Sequence, residues 1–216
     1  MAGSRTGTAS KRRRRRPYRM RSRATAAAAT GDRIREAATA LFIEQPYDHV
    51  SLDDVAERAG VSLPTVLRKF RSKDALFMEC ARAVSDRERE ARSMSPGDVR
   101  GAARVLAQRY EQLIPLWKRN LDLEGRFPEV ARALDEARQG HLAWLAEVFD
   151  PFLAKAPGQV RTRQLAALFG ATEIYLWWTW RTHLGLDAAE AERVMAEILE
   201  TLVREWRPKS KTEPSE

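Results

Sequence analysis

At 216 residues and 44% hydrophobic content, the chain can form one large domain or two small ones around a substantial core. The charged fraction of 31%, six tryptophans and few glycines suit a helical globular protein better than a sandwich or barrel. A single cysteine, Cys80, excludes an intrachain disulfide framework and fits a reducing compartment.

The net charge of +8 is unevenly placed. Residues 1–30 carry Arg5, Lys11, Arg12, Arg13, Arg14, Arg15, Arg16, Arg19, Arg21 and Arg23 and no acid, so the rest of the chain is slightly negative. Such a block reads as a disordered basic arm whose partners are polyanions, either nucleic acid or an acidic membrane surface. "ATAAAAT" is a poor apolar core for a secretory signal, although an Arg-rich, acid-free start also suits an organelle transit peptide.

From Asp32 the pattern is helical throughout, with no sustained period-two alternation and no hairpin signal. A first helix is expected from about Asp32 to Gln45, its stripe made by Ile34, Ala37, Ala38, Leu41 and Phe42, and Pro46 stops it. Ser51 caps "LDDVAERA", which ends at Gly60, where a positive φ costs little. Ser62 caps a third helix to about Phe70, and Ser72 a fourth reaching the Ser93–Gly97 break. A helix follows from near Asp98 to Glu124, bent at Pro115, where the Glu111 carbonyl loses its helical partner and offers a pocket wall. Pro128 opens another, and "DEARQGHLAWLAEVFDPFLAK" continues helical with possible breaks. Pro157-Gly158 makes a turn, and one long apolar helix is expected over roughly 160–184. Asp187 caps the last helix, Ala188 to Trp206, and a polar tail begins at Pro208. The longest apolar run, Leu165 to Trp180, contains Glu173 and is shorter than the ~20 residues a bilayer span needs.

"GVSLPTVLRKF" is the stretch with chemistry to explain. Pro64 stands two residues after Ser62, inside the first turn, where backbone N–H groups have no helical partner, so it removes nothing. At 100° per residue, Leu63, Val66, Leu67 and Phe70 share one arc, while Pro64, Thr65, Arg68 and Lys69 share the other. Arg71 and Lys73 add charge beyond the helix end. A short helix with segregated cations suits phosphate contact, and Ala-Gly-Val-Ser joins it tightly to the helix before.

The segment "SLDDVAERAGVSLPTVLRKFRSKDALF", Ser51 to Phe77, resembles the signature of the TetR family of bacterial transcriptional regulators. Ala56, Ala59, Gly60, Val61, Ser62, Thr65, Phe70, Lys73 and Leu76 carry the likeness, which covers residues 32–80. Three positions depart from it: Leu67 stands where a tyrosine is usual, Lys69 where a histidine is frequent, and Gln45-Pro46 replaces a glycine turn.

The resemblance implies an all-α protein of about nine helices. Its parts would be a basic arm (1–30), a three-helix helix-turn-helix domain (31–78), a ligand-binding and dimerisation domain (79–207) and a polar tail (208–216). It implies that Ser51, Thr65, Lys69 and Lys73 hold phosphates. Leu63, Pro64 and Arg68 would meet base edges, and Ser62 and Leu67 would complete the DNA-facing set. The helix over 160–184 is apolar almost all round and must be buried on more than one side. By resemblance it and the last helix form a homodimer through Leu165, Thr172, Leu176, Trp180, Val194, Ile198 and Leu202. The middle helices would line a pocket for an apolar or aromatic effector with Arg109, Tyr110, Leu113, Trp117, Phe127, His141, Trp144, Phe169 and Tyr175. The implied function is a cytoplasmic repressor, released from a palindromic operator in double-stranded DNA by that small molecule, with no cofactor and no membrane partner. The arm alone supports the alternative, a basic helical protein that binds nucleic acid or a membrane surface without a ligand switch.

Enzyme chemistry has no foothold in these residues. His49, His141 and His183 lie far apart, and no Glu-x-x-His, His-Glu-x-x-His, cysteine pair, Gly-x-Ser-x-Gly or phosphate loop occurs. No metal or catalytic residue is expected.

Overall fold

The computed structural model describes residues 15–155 and 158–206, with side chains from residue 25 onward. The sequence-expected arm up to residue 14 and the tail 208–216 lie outside the described residues. All regular structure among the described residues is helical. The order is α1 (Arg15–Glu44), a 3-10 turn (Tyr47–His49), α2 (Leu52–Ala59), α3 (Leu63–Phe70), α4 (Lys73–Ala91), α5 (Val99–Leu121), α6 (Pro128–Val148), α7 (Gln159–Thr172), α8 (Ile174–Thr182) and α9 (Ala188–Trp206).

Two expectations change. The first helix begins by Arg15 instead of Asp32, so half of the expected arm is helical. The run from Ala24 to Ala29 explains this: alanine has the highest helix propensity, and Pro17 sits within the first turn, where it is tolerated. The apolar stretch over 160–184 is two helices, not one. Glu173 between them is extended (φ −69°, ψ 135°), and its carboxylate accepts the Tyr175 N–H at 2.5 Å, capping α8. The freed Thr172 carbonyl accepts the buried Tyr110 hydroxyl. Both sides of the break are apolar, so periodicity carries no trace of it.

The helices enclose two cores. The first gathers Ile34, Leu41 and Phe42 of α1, Val55 of α2, Val66 and Phe70 of α3, and Leu76 and Phe77 of α4. It also recruits Leu123 and Val130 from beyond α5 and from α6. The second is built from Leu106 and Tyr110 of α5, Leu145 of α6, Phe149, Leu168 of α7, Trp177 of α8, and Met195 and Leu199 of α9, with α5 lying along α9. The expected domain boundary at residue 78 therefore falls inside α4. Pro115 is accommodated within a continuous α5. No helix among the described residues is long and apolar enough to cross a membrane.

The tight link between α2 and α3 rests on Gly60, in the left-handed region (φ 64°, ψ 41°), whose N–H reaches the carbonyls of Ala56 and Glu57. A Cβ there meets no atom within 4 Å, so the cost of adding one is conformational only. Gly60→Ala should lower stability by about 1 kcal/mol, read as a fall in the urea midpoint at unchanged slope.

Candidate nucleic-acid interface and internal cavity

The recognition unit is assembled from caps outward. Ser51 and Asp54 form a reciprocal cap at the start of α2: the Asp54 N–H donates to Ser51 Oγ at 3.1 Å, and the Ser51 N–H to Asp54 Oδ2 at 2.9 Å. Ser62 takes the cap position of α3 with an extended backbone, but its hydroxyl pairs with Thr65 Oγ1 at 3.1 Å, and no backbone N–H bonds to it. Pro64 lies in the first turn, as its position predicts. Val66 and Phe70 are buried, while Pro64, Leu67, Arg68 and Lys69 are exposed. Leu67 is 41% exposed, so it belongs to the outer face and not to the packed arc that the helical wheel assigned it. Leu63 and Thr65 are half-buried at its edges.

The two lysines differ from expectation. Lys73 is half-buried and turned inward: its amine donates to the carbonyls of Tyr47 (3.0 Å) and Val50 (3.2 Å) and lies 4.2 Å from the centre of the Tyr47 ring. It braces the unit before it can touch a phosphate. Lys69 reaches back across α1 to the Ala27 carbonyl at 2.5 Å, over Gly31. Arg68, whose nearest polar neighbour is Thr65 Oγ1 at 3.5 Å, is the α3 cation that remains outward. Two features escaped the sequence reading. Arg71, ending α3, holds a positive φ of 63° in a three-residue turn closed by the Ser72 N–H on the Phe70 carbonyl at 2.7 Å. Tyr47 ties the unit to its surroundings through Phe77 (4.8 Å between centroids), Phe127 (5.2 Å) and a hydroxyl bond to Asp74.

Behind this unit, α1, α4, α5, α6 and the α7–α8 break border a cavity of about 260 Å³ with a mostly apolar lining. Of the expected pocket residues, Tyr110, Leu113, Trp117, His141 and Phe169 line it. The others do not. Arg109 is held by Glu88, with Nε 2.9 Å from Oε2, and by Gln112. Phe127 packs in the first core, Trp144 is buried with its Nε1–H on the Arg92 carbonyl at 2.9 Å, and Tyr175 is half-exposed against Trp178. Glu111 is no cavity wall: its carboxylate accepts Trp177 Nε1–H and Arg181 Nε–H, each at 2.9 Å, while Leu116 and Trp117 on the next turn line the space. Arg92 and Glu173, which no helical stripe would single out, do face the cavity.

Of the expected interface residues, Thr172 and Trp180 are buried inside this chain, so neither is available to a partner. Leu165 and Leu176 are half-buried. Val194, Ile198 and Leu202 line a shallow groove along α9 with Glu197 and Thr201.

Residues 34–80 match the family described as bacterial regulatory proteins, tetR family. That segment is of the TetR type. The whole fold agrees with TetR-family regulators of known structure. A TetR-family transcriptional regulator from Streptomyces coelicolor is similar at 18% identity and a TM-score of 0.62, over 83% of this chain and 88% of that one. The flavonoid-responsive regulator FrrA is similar at 22% identity and a TM-score of 0.59, over 82% and 97%. A transcriptional regulator from Rhodococcus sp. Rha1 is similar at 19% identity and a TM-score of 0.58, over 81% and 96%. At these identities the likeness is one of fold. No curated protein matches the chain.

His141 is a buried titratable group whose protonation state is set by its surroundings. Burial, and then the Arg92 cation, hold its pKa down to about 3. Arg92 Nη1 donates to Nδ1 at 3.2 Å, which places the ring proton on Nε2, 2.9 Å from Thr172 Oγ1. The unfolded chain binds a proton here below about pH 6.5, and the folded chain does so only near the lowered value. Stability is therefore lost as pH falls through that window. Between about pH 7 and about pH 5 this one group should remove about 2 kcal/mol, and His141→Gln should flatten the dependence in denaturant titrations at the two pH values.

Proposed function

We propose that the chain is a homodimeric, cytoplasmic repressor that binds a palindromic operator and leaves it when a small, largely apolar molecule fills the cavity. The observation that carries the DNA-reading half is the outer face of α3. It presents Pro64, Leu67 and Arg68 to solvent on a helix fixed from behind by Val66 and Phe70. Pro64 and Leu67 have no side-chain hydrogen bonds to give, so apolar contact with thymine methyls is their contribution. Arg68 can read a guanine through two parallel N–H bonds. Leu67 gives no phenol to the backbone, so one phosphate contact is missing, and the ten cations of the sequence over 1–30 can restore affinity.

The dimer is proposed through Leu165 of α7, Leu176 of α8, and Val194, Ile198 and Leu202 of α9, apolar side chains that this chain leaves partly uncovered. A two-fold dimer places two copies of α3 on successive major-groove faces, which demands a two-fold operator. The effector half rests on the cavity and its place against α4, the helix that follows α3 directly. FrrA, similar in fold, is a flavonoid-responsive regulator. A small-molecule response here would release DNA only if the ligand favours the state that does not bind DNA.

Selection from a random duplex library with the purified chain should recover a palindrome, and Arg68→Ala should broaden the preferred sequence at one position in each half-site. A motif without two-fold symmetry would contradict the dimer. Recovery of no motif at low salt would contradict the function.

A further inference from the structure

Six charged side chains border the cavity: Glu88, Arg89, Arg92, Glu136, Arg138 and Glu173. Four are ion-paired. Glu88 pairs with Arg109, Arg89 with Asp86, Glu136 with Arg82 and Arg138 with Glu124. The Glu173 carboxylate caps α8 by accepting the Tyr175 N–H. Arg92 differs. It ends α4, its guanidinium lies 5.5 Å from the Trp144 ring, and no carboxylate among the described residues comes within ion-pair distance of it. Its bonds go to neutral acceptors: Nε–H to the Glu88 carbonyl at 3.2 Å and Nη1–H to His141 Nδ1 at 3.2 Å. A guanidinium has five N–H donors, so the cavity side of this one keeps donors to spare.

The His141 end of the network has no such capacity. Its Nε2–H is taken by Thr172 Oγ1, which passes its own proton to the Leu168 carbonyl at 2.7 Å. His141 is thus locked as an acceptor toward Arg92 and orients the guanidinium plane. Burial depresses the Arg92 pKa, and the nearby Glu88 carboxylate offsets this only in part. A half-buried cation without a paired carboxylate is costly, and a carboxylate bound through two parallel N–H bonds removes that cost.

From this arrangement we infer that the cavity takes an apolar molecule carrying one anionic group of carboxylate type, seated on Arg92, with its apolar part among Leu113, Trp117, Val130 and Phe169. The inference rests on the proposal that the cavity is an effector site, and the probes separate the two. Naphthalene-2-carboxylate and its neutral isostere naphthalene-2-carboxamide are titrated into the full chain, with binding read by calorimetry. Wild type should bind the carboxylate at least about tenfold more tightly than the amide. Arg92→Gln should erase that preference while leaving amide binding intact, which also shows the variant to be folded. If Arg92→Gln does not fold, Arg92→Lys decides. It keeps the charge but lacks the two-pronged donor geometry, so its preference should shrink, and an undiminished preference overturns the assignment. Equal binding of both probes to wild type overturns the anion and leaves the effector site standing. Binding of neither removes the effector site and the anion together.

Discussion

The packing of α4 between α1 and α6 is the constraint on which the rest of the molecule depends. Its first half buries Leu76, Phe77 and Cys80 beneath the recognition unit. Its second half buries Glu88 against Arg109 of α5 and ends in Arg92, which is bonded to His141 of α6. A helix is stiff over this length, so displacement at either end is felt at the other. No loop separates the helix-turn-helix unit from the helices around the cavity. The first core even borrows Leu123 and Val130 from the second half of the chain.

The recognition unit itself is held by a short list of polar and aromatic contacts around Tyr47. Its ring meets Phe77 and Phe127, its hydroxyl bonds Asp74, and Lys73 spans the carbonyls of Tyr47 and Val50. Hydrogen bonds from a charged donor to backbone carbonyls are worth about 1.5–3 kcal/mol, so Lys73 contributes to the fold as well as to any DNA contact. The same contacts place α3 with its apolar side inward and its outer face free. Arg71 turns the chain into α4 with a positive φ.

Much of this was legible in the sequence because it rests on local rules. The caps at Ser51 and Ser72, the left-handed Gly60, the position of Pro64 and the ends of α9 follow from residue chemistry within one or two turns. What was not legible depends on long-range contact. Lys73 and Lys69 look like free cations in sequence, yet their carbonyl partners stand 26 and 42 residues away. Thr172 and Trp180 look like interface residues on an apolar helix, yet both are buried within the chain. Arg92 lies at a helix end with no stripe to mark it, so only the packing of α6 against α4 brings it to the cavity. The start of α1 was missed for the opposite reason: local alanine propensity outweighed the charge repulsion that suggested disorder.

The proposed release of DNA turns on α4 being pushed when the cavity fills, a coupling that must be reciprocal between the two sites. Ala133 of α6 faces the cavity and packs on the first core, so Ala133→Phe fills the space without any ligand. The most direct measurement is the affinity of this folded variant for the duplex recovered by selection, compared with wild type at matched salt. The account predicts a loss of at least about tenfold. Unchanged or tighter binding, in a variant whose cavity no longer takes up naphthalene-2-carboxamide, would contradict it.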